Sequence, residues 1–202
     1  MGGNIKISLT MSFFILLYLL SGCSKDLETY NNDARAVLED LDKIRASVEV
    51  GINYQNFSAK LADANYRLSN FSNKYKTHKK IANMNSFNAL TRAGGCYIAA
   101  VAVWDAKVKE QYSDDLEYAL KKLKYDGLIN VESTAAALFI KYAKDAMVTG
   151  KEDDAVIATK LSEITSRKDE LRTILTTISV NNEHLPQKLK EMGTKMESFG
   201  SL

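Results

Sequence analysis

Apolar positions recur at intervals of three and four residues along most of the chain. Between residues 54 and 75 the two intervals alternate strictly, a spacing typical of the seam between two helices packed with a left-handed twist. The seam positions are Tyr54, Phe57, Leu61, Ala64, Leu68, Phe71 and Tyr75. An earlier segment repeats the spacing at Ala34, Val37, Leu41, Ile44 and Val48. With Gly51 as a helix C-cap between them, the pattern predicts an antiparallel helix pair joined near residues 51–53.

A third helix is predicted from about Asn83 to Tyr112. Its centre, Ala93 to Trp104, carries no charged residue, and a helix that is apolar on all sides is normally buried on all sides. Two continuations stay open. Either Ser113-Asp114-Asp115 caps a new helix, or the third helix runs on to Tyr125.

The rest of the chain keeps the helical period and shows no two-residue alternation typical of strands. Tyr125-Asp126-Gly127 predicts a turn, and two helices follow over Val131–Val148, ending at Gly150, and over Glu152–Val180. Their expected core residues are Leu138, Phe139, Tyr142, Met147, Ile157, Leu161, Ile164, Leu171, Leu175 and Ile178. Glu163 and Arg167 are spaced as a surface ion pair.

The last predicted element is a short amphipathic helix that follows a break at Asn181-Asn182 and begins near Pro186. Its apolar positions are Leu185, Leu189, Met192 and Met196. Taken together, the pattern predicts an all-α antiparallel bundle of four to six helices.

The amino-terminal segment has a different pattern. Lys6 is the only charged residue before Lys25, and Leu9 to Leu20 is a stretch of twelve uncharged residues. A basic start, an apolar region and small residues before a cleavage site are typical of a secretory signal. As a helix the stretch covers about 18 Å, short of the roughly 30 Å hydrocarbon core, so a permanent membrane span is disfavoured.

The block Leu20-Ser21-Gly22-Cys23 resembles the lipobox of bacterial lipoproteins. The resemblance implies cleavage between Gly22 and Cys23 and acylation of Cys23 with fatty acids such as palmitate. Cys23 is then the first residue of the mature chain and binds the lipid bilayer. Because Ser24 rather than Asp follows, the resemblance favours the outer membrane in a Gram-negative organism, and otherwise the outer face of the plasma membrane.

These features divide the chain into four segments. Residues 1–22 are the predicted signal peptide, 23–33 a lipidated amino terminus with a short polar tether, 34–180 the helical bundle, and 181–202 a tail with the short helix.

Composition excludes several classes of protein. Lys and Arg number 27 against 25 Asp and Glu, so the net charge of +2 offers no basic surplus for nucleic-acid binding. An apolar fraction of 46% is too high for a disordered chain. Two cysteines do not build a disulfide scaffold, and acylation of Cys23 leaves Cys96 without an internal partner.

Candidate catalytic and metal-binding residues are few. Cys96 could form a nucleophile pair with His78 or His184, but its apolar helix beside Gly94-Gly95 favours core packing, with an intermolecular disulfide as a third possibility. Neither histidine follows a glutamate at the spacing of a di-iron bundle. No catalytic, cofactor or metal site is therefore predicted.

Two charged groups need interpretation. The run from Lys74 to Lys80 has two interpretations. The favoured one is a solvated helix end, and the other is a binding site for lipid headgroups, lipopolysaccharide or peptidoglycan phosphates. Glu39, Asp40 and Asp42 stand among Lys43 and Arg45, which indicates a solvated face rather than a paired acid and base.

The expected function is that of a non-enzymatic lipoprotein that binds an envelope protein partner or supports the envelope, in an oligomeric state left open. One alternative is an enzyme or small-ligand carrier with a pocket lined by Trp104, Tyr97 or Arg92. Another is an immunity or inhibitor-type lipoprotein. A colicin-like hairpin of Ala99–Val103 and Ala135–Ala137 is disfavoured because the uncharged helix centre is too short to span a bilayer.

Overall fold

The computed structural model describes residues 5–110, 116–179 and 184–202, with the side chains of 26–110, 117–179 and 184–202. Within these ranges the chain is all-α and contains no strand. The helices are α1 (Ile5–Glu49), α2 (Tyr54–Tyr75), α3 (Lys79–Ala82), α4 (Asn85–Lys109), α5 (Leu116–Thr149), α6 (Ala155–Thr177) and α7 (Leu185–Gly200). The predicted helical bundle is confirmed, and the count exceeds the expected range because of the single-turn α3.

Helices α1 and α2 form the predicted antiparallel pair. Gly51 adopts φ 85°, in the left-handed region that favours glycine, and Asn53 caps α2 by accepting the Asn56 N–H at 2.9 Å. The predicted seam positions of α2 are buried from Phe57 to Tyr75, and Tyr54 is half-buried. The apolar spacing therefore identified the packed face correctly.

Polar side chains set the register of this pair. Three contacts join the helices at equal intervals: Lys60 with Ser47 (2.6 Å), Arg67 with Asp40 (2.7 Å) and Lys74 with Asp33 (2.7 Å). Each step advances seven residues along α2 and returns seven along α1, about two turns of either helix. The carboxyl end of α2 consequently lies beside the part of α1 near Asp33.

The bundle begins earlier in the chain than residue 34. Residues 26–33, which their polar composition assigned to a tether, continue α1. Tyr30 is fully buried, with its ring centroid 5.7 Å from that of Phe71 and 5.2 Å from that of Tyr75. Leu27 also packs against the core. These contacts make residues 26–33 the first turns of the bundle rather than a tether.

Helix α4 is central and contacts α1, α2, α5 and α6. Ala93, Cys96 and Tyr97 in its uncharged centre are buried, as predicted. Gly94 allows close approach to α2, because a Cβ at this position would lie 1.9 Å from Leu68 Cδ2. Gly95, in contrast, has open space around it.

The third predicted helix ends before residues 113–115, where the sequence allowed either a new helix or a continuous one. Helix α4 stops at Lys109 and α5 begins at Leu116, so one continuous helix to Tyr125 is excluded. Ser113-Asp114-Asp115, proposed as a cap, lies outside the described residues.

The turn predicted at Tyr125-Asp126-Gly127 is wrong, because α5 runs through these residues without interruption. Gly127 is a packing residue: a Cβ there would lie 2.6 Å from Leu175 Cδ2 on α6. The real end of α5 is marked by Gly150, which adopts φ 69° as expected for a glycine after a helix.

Helices α6 and α7 complete the bundle. Asp154 caps α6 by accepting the Val156 N–H at 2.7 Å, and all six predicted core positions from Ile157 to Ile178 are buried. Helix α7 carries Pro186 in its first turn, and its buried Phe199 joins the core. The carboxyl-terminal helix is thus part of the bundle, whereas Asn181-Asn182 lies outside the described residues.

Among the side chains that the structure describes, no helix is long and apolar enough to cross a membrane. Ala100, Ala135 and Ala136, from the two segments considered for a membrane hairpin, are fully buried in the core.

Candidate functional site

The predicted lipid attachment site lies in the amino-terminal part of α1. Gly22 and Cys23 belong to the helix, and their side chains are outside the described set. Cys23 precedes Leu27 by four residues, about one helical turn or 6 Å along the axis. An acyl chain on Cys23 would therefore attach close to the packed bundle.

A charged cluster around a buried carboxylate joins α5 and α6, and the sequence pattern did not predict it. Glu132 is fully buried, and its Oε1 accepts a hydrogen bond from Arg172 Nη1. Lys168 Nζ lies 3.8 Å from Glu132 Oε2. Lys168 and Arg172 are one turn apart on α6, so both reach the same carboxylate. The only signal in the sequence is an acid followed by an apolar alanine-rich segment.

Hydrogen bonding within this cluster is incomplete. Glu132 Oε2 and the neighbouring Ser133 Oγ have no hydrogen-bond partner among the described residues. A buried carboxylate is tolerated only when cations and donors offset the loss of hydration. Glu132 therefore depends on Arg172 and Lys168, and the cluster links α5 to α6.

Cys96 adjoins this cluster from α4. Its thiol is buried, and desolvation together with the nearby Glu132 carboxylate raises the pKa of Cys96 to about 12. His78 is exposed and accepts the Ile81 N–H at the start of α3, and His184 is exposed just before α7. Among the described side chains, the Cys–His pair considered above is thus not assembled, and Cys96 is a core residue.

Cys96 should react with iodoacetamide at pH 8 roughly a thousandfold more slowly in the folded protein than in urea. The reason is that a thiol with a pKa of about 12 carries far less thiolate at this pH than an ordinary cysteine of pKa about 8.5. Mass spectrometry of the alkylated peptide measures the rate. Equal rates in the two conditions would show an accessible thiol and contradict the buried site.

The residues considered for a ligand pocket are packing residues. Tyr97 and Trp104 both lie against Phe57, with ring centroids 6.0 and 5.7 Å away. Arg92 donates to the main-chain oxygen of Leu161 at 3.0 Å. Tyr97 is buried, and Arg92 faces α6 rather than the two aromatic rings. The three side chains hold helices together and do not share one cavity in the described structure.

An open groove of about 660 Å³ runs between α1, α5 and the end of α7. It is lined by Arg45, Thr134, Ala137, Leu138, Ile140, Lys141, Lys144, Asp145, Val148 and Gly200. Its cations are already engaged: Lys144 Nζ bonds Asp42 at 2.8 Å, and Lys141 Nζ donates to the main-chain oxygen of Leu202 at 3.2 Å. The apolar part of the lining includes Ala137, Leu138 and Ile140.

Glu39 is exposed, whereas Asp40 and Asp42 are half-buried and form ion pairs with neighbouring helices, so only part of the predicted solvated face is fully exposed. Asp40 pairs with Arg67, and Asp42 pairs with Arg45 and Lys144. Desolvation acts to raise the pKa of Asp42, but the hydrogen bonds from Lys144 and Arg45 outweigh it and hold the pKa below its ordinary value. Asp42 therefore stays ionised and links α1 to α5. Within the described residues, no group of three histidine, cysteine or carboxylate side chains is arranged to hold a metal ion.

The basic run contains the end of α2 and the start of α3. Lys74 lies in the last turn of α2 and pairs with Asp33, which confirms the helix-end interpretation for this residue. Lys76, Lys79 and Lys80 are exposed and form no ion pair with the described side chains. Their charges consequently remain available at the surface.

Buried polar residues form hydrogen bonds at the amino end of α4. Asn85 Nδ2 donates to the main-chain oxygens of Lys151 and Asp154 at 3.1 and 3.0 Å. Ser86 N donates to Glu152 Oε2 at 2.9 Å, so the α5–α6 loop caps α4 from a distant part of the chain. Tyr30 extends the network through a hydrogen bond with Ser86 Oγ. This network ties α1, α4 and the α5–α6 loop together at one end of the bundle.

No protein-family model matches the chain, and comparisons with curated proteins and with solved structures found no similar protein. Any function must therefore be inferred from the residues and contacts described above.

Proposed function

We propose that the protein is a lipid-anchored component of a bacterial cell envelope whose helical bundle binds an envelope protein partner. The observation that carries the proposal is the block Leu20-Ser21-Gly22-Cys23 at the end of an uncharged segment. The proposed location is the outer membrane in a Gram-negative organism, since Ser24 follows the cysteine, and otherwise the outer face of the plasma membrane.

The anchor is energetically sufficient. Each buried methylene of an acyl chain contributes about 0.8 kcal/mol, so two or three chains on Cys23 would make dissociation from the bilayer negligible. Confinement to the membrane raises the effective concentration of the bundle for any partner in the same plane or in the adjacent wall. Tight anchoring therefore suits a binding protein whose individual contacts are weak.

Features of the bundle support binding rather than catalysis. The thiol of Cys96 and the carboxylate of Glu132 are enclosed in the core, where a substrate does not reach them. The groove between α1, α5 and α7 is open along its length and has an apolar floor containing Ala137, Leu138 and Ile140. We infer that this groove receives a segment of the partner protein.

Replacing Cys23 by alanine should abolish incorporation of labelled palmitate and leave the signal peptide uncleaved. Both changes follow because the thiol is the acylation site and, in the lipoprotein family, cleavage occurs directly before that cysteine. Cys96→Ala is the matched control, since it removes the other cysteine and should leave lipid labelling and chain mass unchanged. Labelled fatty acid on the Cys23→Ala chain would contradict the proposal.

A further inference from the structure

One end of the bundle lies next to the proposed anchor. The ring of Tyr30 on α1 lies 5.2 Å from that of Tyr75, and Tyr30 Oη hydrogen-bonds Ser86 Oγ, so the segment between Tyr75 and Ser86 begins and ends at the level of Tyr30. Asn85 binds the α5–α6 loop at the same level, through Lys151 and Asp154. We call residues 26–31, 76–86 and 150–156 the anchor end of the bundle. Cys23 precedes Tyr30 by seven residues, which is about two helical turns or about 10 Å along the axis.

The anchor end presents exposed cations. Lys76, Lys79 and Lys80 lie within a stretch of five residues and have no ion pair among the described side chains, and Lys76 Nζ donates to Asn73 Oδ1 at 2.8 Å. His78, between them, caps α3 with its imidazole and so holds the segment in a fixed turn. The three lysines are therefore close together along the chain, and we call them the lysine group.

Carboxylates at the same end are more dispersed, and three of them are engaged. Asp33 binds Lys74, Glu152 accepts the Ser86 N–H, and Asp154 caps α6. The exposed Asp26 and Glu28 flank Leu27 on α1, and Asp153 is exposed on the α5–α6 loop. The three ranges of the anchor end hold four lysines against five carboxylates, a net side-chain charge of −1, and three of the four lysines belong to the lysine group.

Two exposed apolar side chains flank the α5–α6 loop. Val156, in the first turn of α6, is 69% exposed, and Val148, in the last turn of α5, is 86% exposed and also lines the groove between α1, α5 and α7. Exposed apolar and cationic side chains together are typical of protein surfaces that lie in the headgroup region of a bilayer. Val156 therefore belongs to the same end of the bundle as the lysine group and is compatible with a lipid surface.

We propose that Lys76, Lys79 and Lys80 bind the anionic headgroups of the membrane that holds Cys23, so that the bundle stands with its anchor end on the bilayer. The inference rests on the proposed lipidation of Cys23. Tyr30, which marks the level of this segment, lies about 10 Å along the helix axis from Cys23, and this distance is comparable to the screening length of about 10 Å over which an anionic surface attracts exposed cations. A lipid tether alone would leave the bundle free to tilt, whereas this second contact orients it.

The test uses the mature lipidated protein reconstituted into vesicles of phosphatidylcholine alone or with added phosphatidylglycerol. A neutral acetylating reagent labels the lysines, and mass spectrometry measures the rate at each residue. We expect acetylation of Lys76, Lys79 and Lys80 to be about fivefold slower in the anionic vesicles, and the difference to disappear at high salt. Lys188, near the start of α7 at the opposite end, should react equally in both vesicles.

A pair of variants tests whether the lysine group orients the bundle. Lys151 is a reporter at the anchor end, and its protection in anionic vesicles should be lost when Lys76, Lys79 and Lys80 are all changed to glutamine. The matched control changes Lys122, Lys188 and Lys190 to glutamine. These residues lie near the starts of α5 and α7, away from the anchor end, because α5 reaches that end only at Thr149 and α7 runs antiparallel to α6 through the Lys195–Glu170 contact. Protection of Lys151 should persist in that control.

Several outcomes would overturn the inference. Equal acetylation rates in the two kinds of vesicle, on a chain whose mass confirms acylation, would refute the headgroup contact and leave the anchor intact. Protection by isolated peptidoglycan but not by anionic vesicles would assign the lysines to the cell wall instead. A mature chain that carries no fatty acid would refute both the anchor and the contact that depends on it.

Discussion

Replacing Arg172 by methionine should lower the free energy of unfolding by about 3 kcal/mol, because the change leaves Glu132 buried with only Lys168 to offset its charge. Arg172 supplies the hydrogen bond to Glu132 Oε1, and Glu132 Oε2 already has none. Lys168 Nζ, 3.8 Å from Oε2, is too distant for a good hydrogen bond. Urea unfolding followed by far-ultraviolet circular dichroism measures the loss.

The two partners of this ion pair should respond unequally. Glu132→Gln leaves the side chains of Arg172 and Lys168, which are 38% and 20% exposed, able to turn toward water. We therefore expect Glu132→Gln to cost about 1 kcal/mol, well below Arg172→Met. The double variant Glu132→Leu with Arg172→Met removes both charges and should recover most of the loss, since apolar replacements of buried ion pairs are often neutral or stabilising.

Arg167→Met is the matched control on the same helix. Arg167 pairs with Glu163 at 3.0 Å on the surface, as its spacing predicted, and such pairs contribute about 0.5 kcal/mol. Equal losses from Arg167→Met and Arg172→Met would contradict the dependence of Glu132 on its cation. So would a double variant less stable than Arg172→Met alone.

The features of the fold that can be predicted correctly depend on the spacing of residues within a single helix or at its end. The seam from Phe57 to Tyr75 follows from a repeat within one helix, and the helix ends at Gly51 and Gly150 follow from the left-handed conformation that glycine adopts there. Neither inference needs knowledge of a distant residue. The all-α class was predictable for the same reason.

The failures share a different cause, since each depends on a residue far along the chain. Gly127 is typical of a turn in the sequence, but in the fold its missing side chain leaves room for Leu175 on the neighbouring helix. Tyr30 lies in a polar stretch, and only its contacts with Phe71 and Tyr75 show that the stretch belongs to the bundle. Glu132 and Arg172 are forty residues apart in sequence, so no local pattern predicts that they form an ion pair.

The proposed anchor is a local motif at Cys23 and could be recognised from sequence, whereas the place of the lysine group in the fold depends on the contacts of Tyr30 with Tyr75 and Ser86. A direct test of the contacts that hold this end of the bundle together is therefore informative.

Replacing Asn85 by aspartate should destabilise the protein by about 3 kcal/mol at neutral pH, although the two side chains have the same shape. The amide donates to the main-chain oxygens of Lys151 and Asp154 at 3.1 and 3.0 Å, and a carboxylate would place a negative oxygen against both. Loss of two hydrogen bonds costs about 2 kcal/mol, and a buried unpaired charge costs more. The favourable interaction of the carboxylate with the positive end of the α4 dipole offsets only about 1 kcal/mol of this destabilisation.

The deficit should shrink as the pH falls. In the folded variant the introduced carboxyl has its pKa raised above the unfolded value of about 3.9, because burial and the two carbonyl oxygens disfavour its charged form. Between these two pKa values the folded state binds more protons than the unfolded state, so stability falls as the pH rises through that window. Urea unfolding of the variant and the native protein at several pH values measures the difference.

Asn88→Asp provides the matched control, because it makes the same chemical change one turn further along α4. Asn88 is half-buried, its amide donates to the nearby main-chain oxygens of Ala82 and Met84, and water can replace these bonds. The helix dipole also favours an acid in this first turn, so we expect a loss of less than about 1 kcal/mol with little dependence on pH. A similar loss in both variants, or a deficit at Asn85 that does not change with pH, would show that the α5–α6 loop does not hold the amino end of α4.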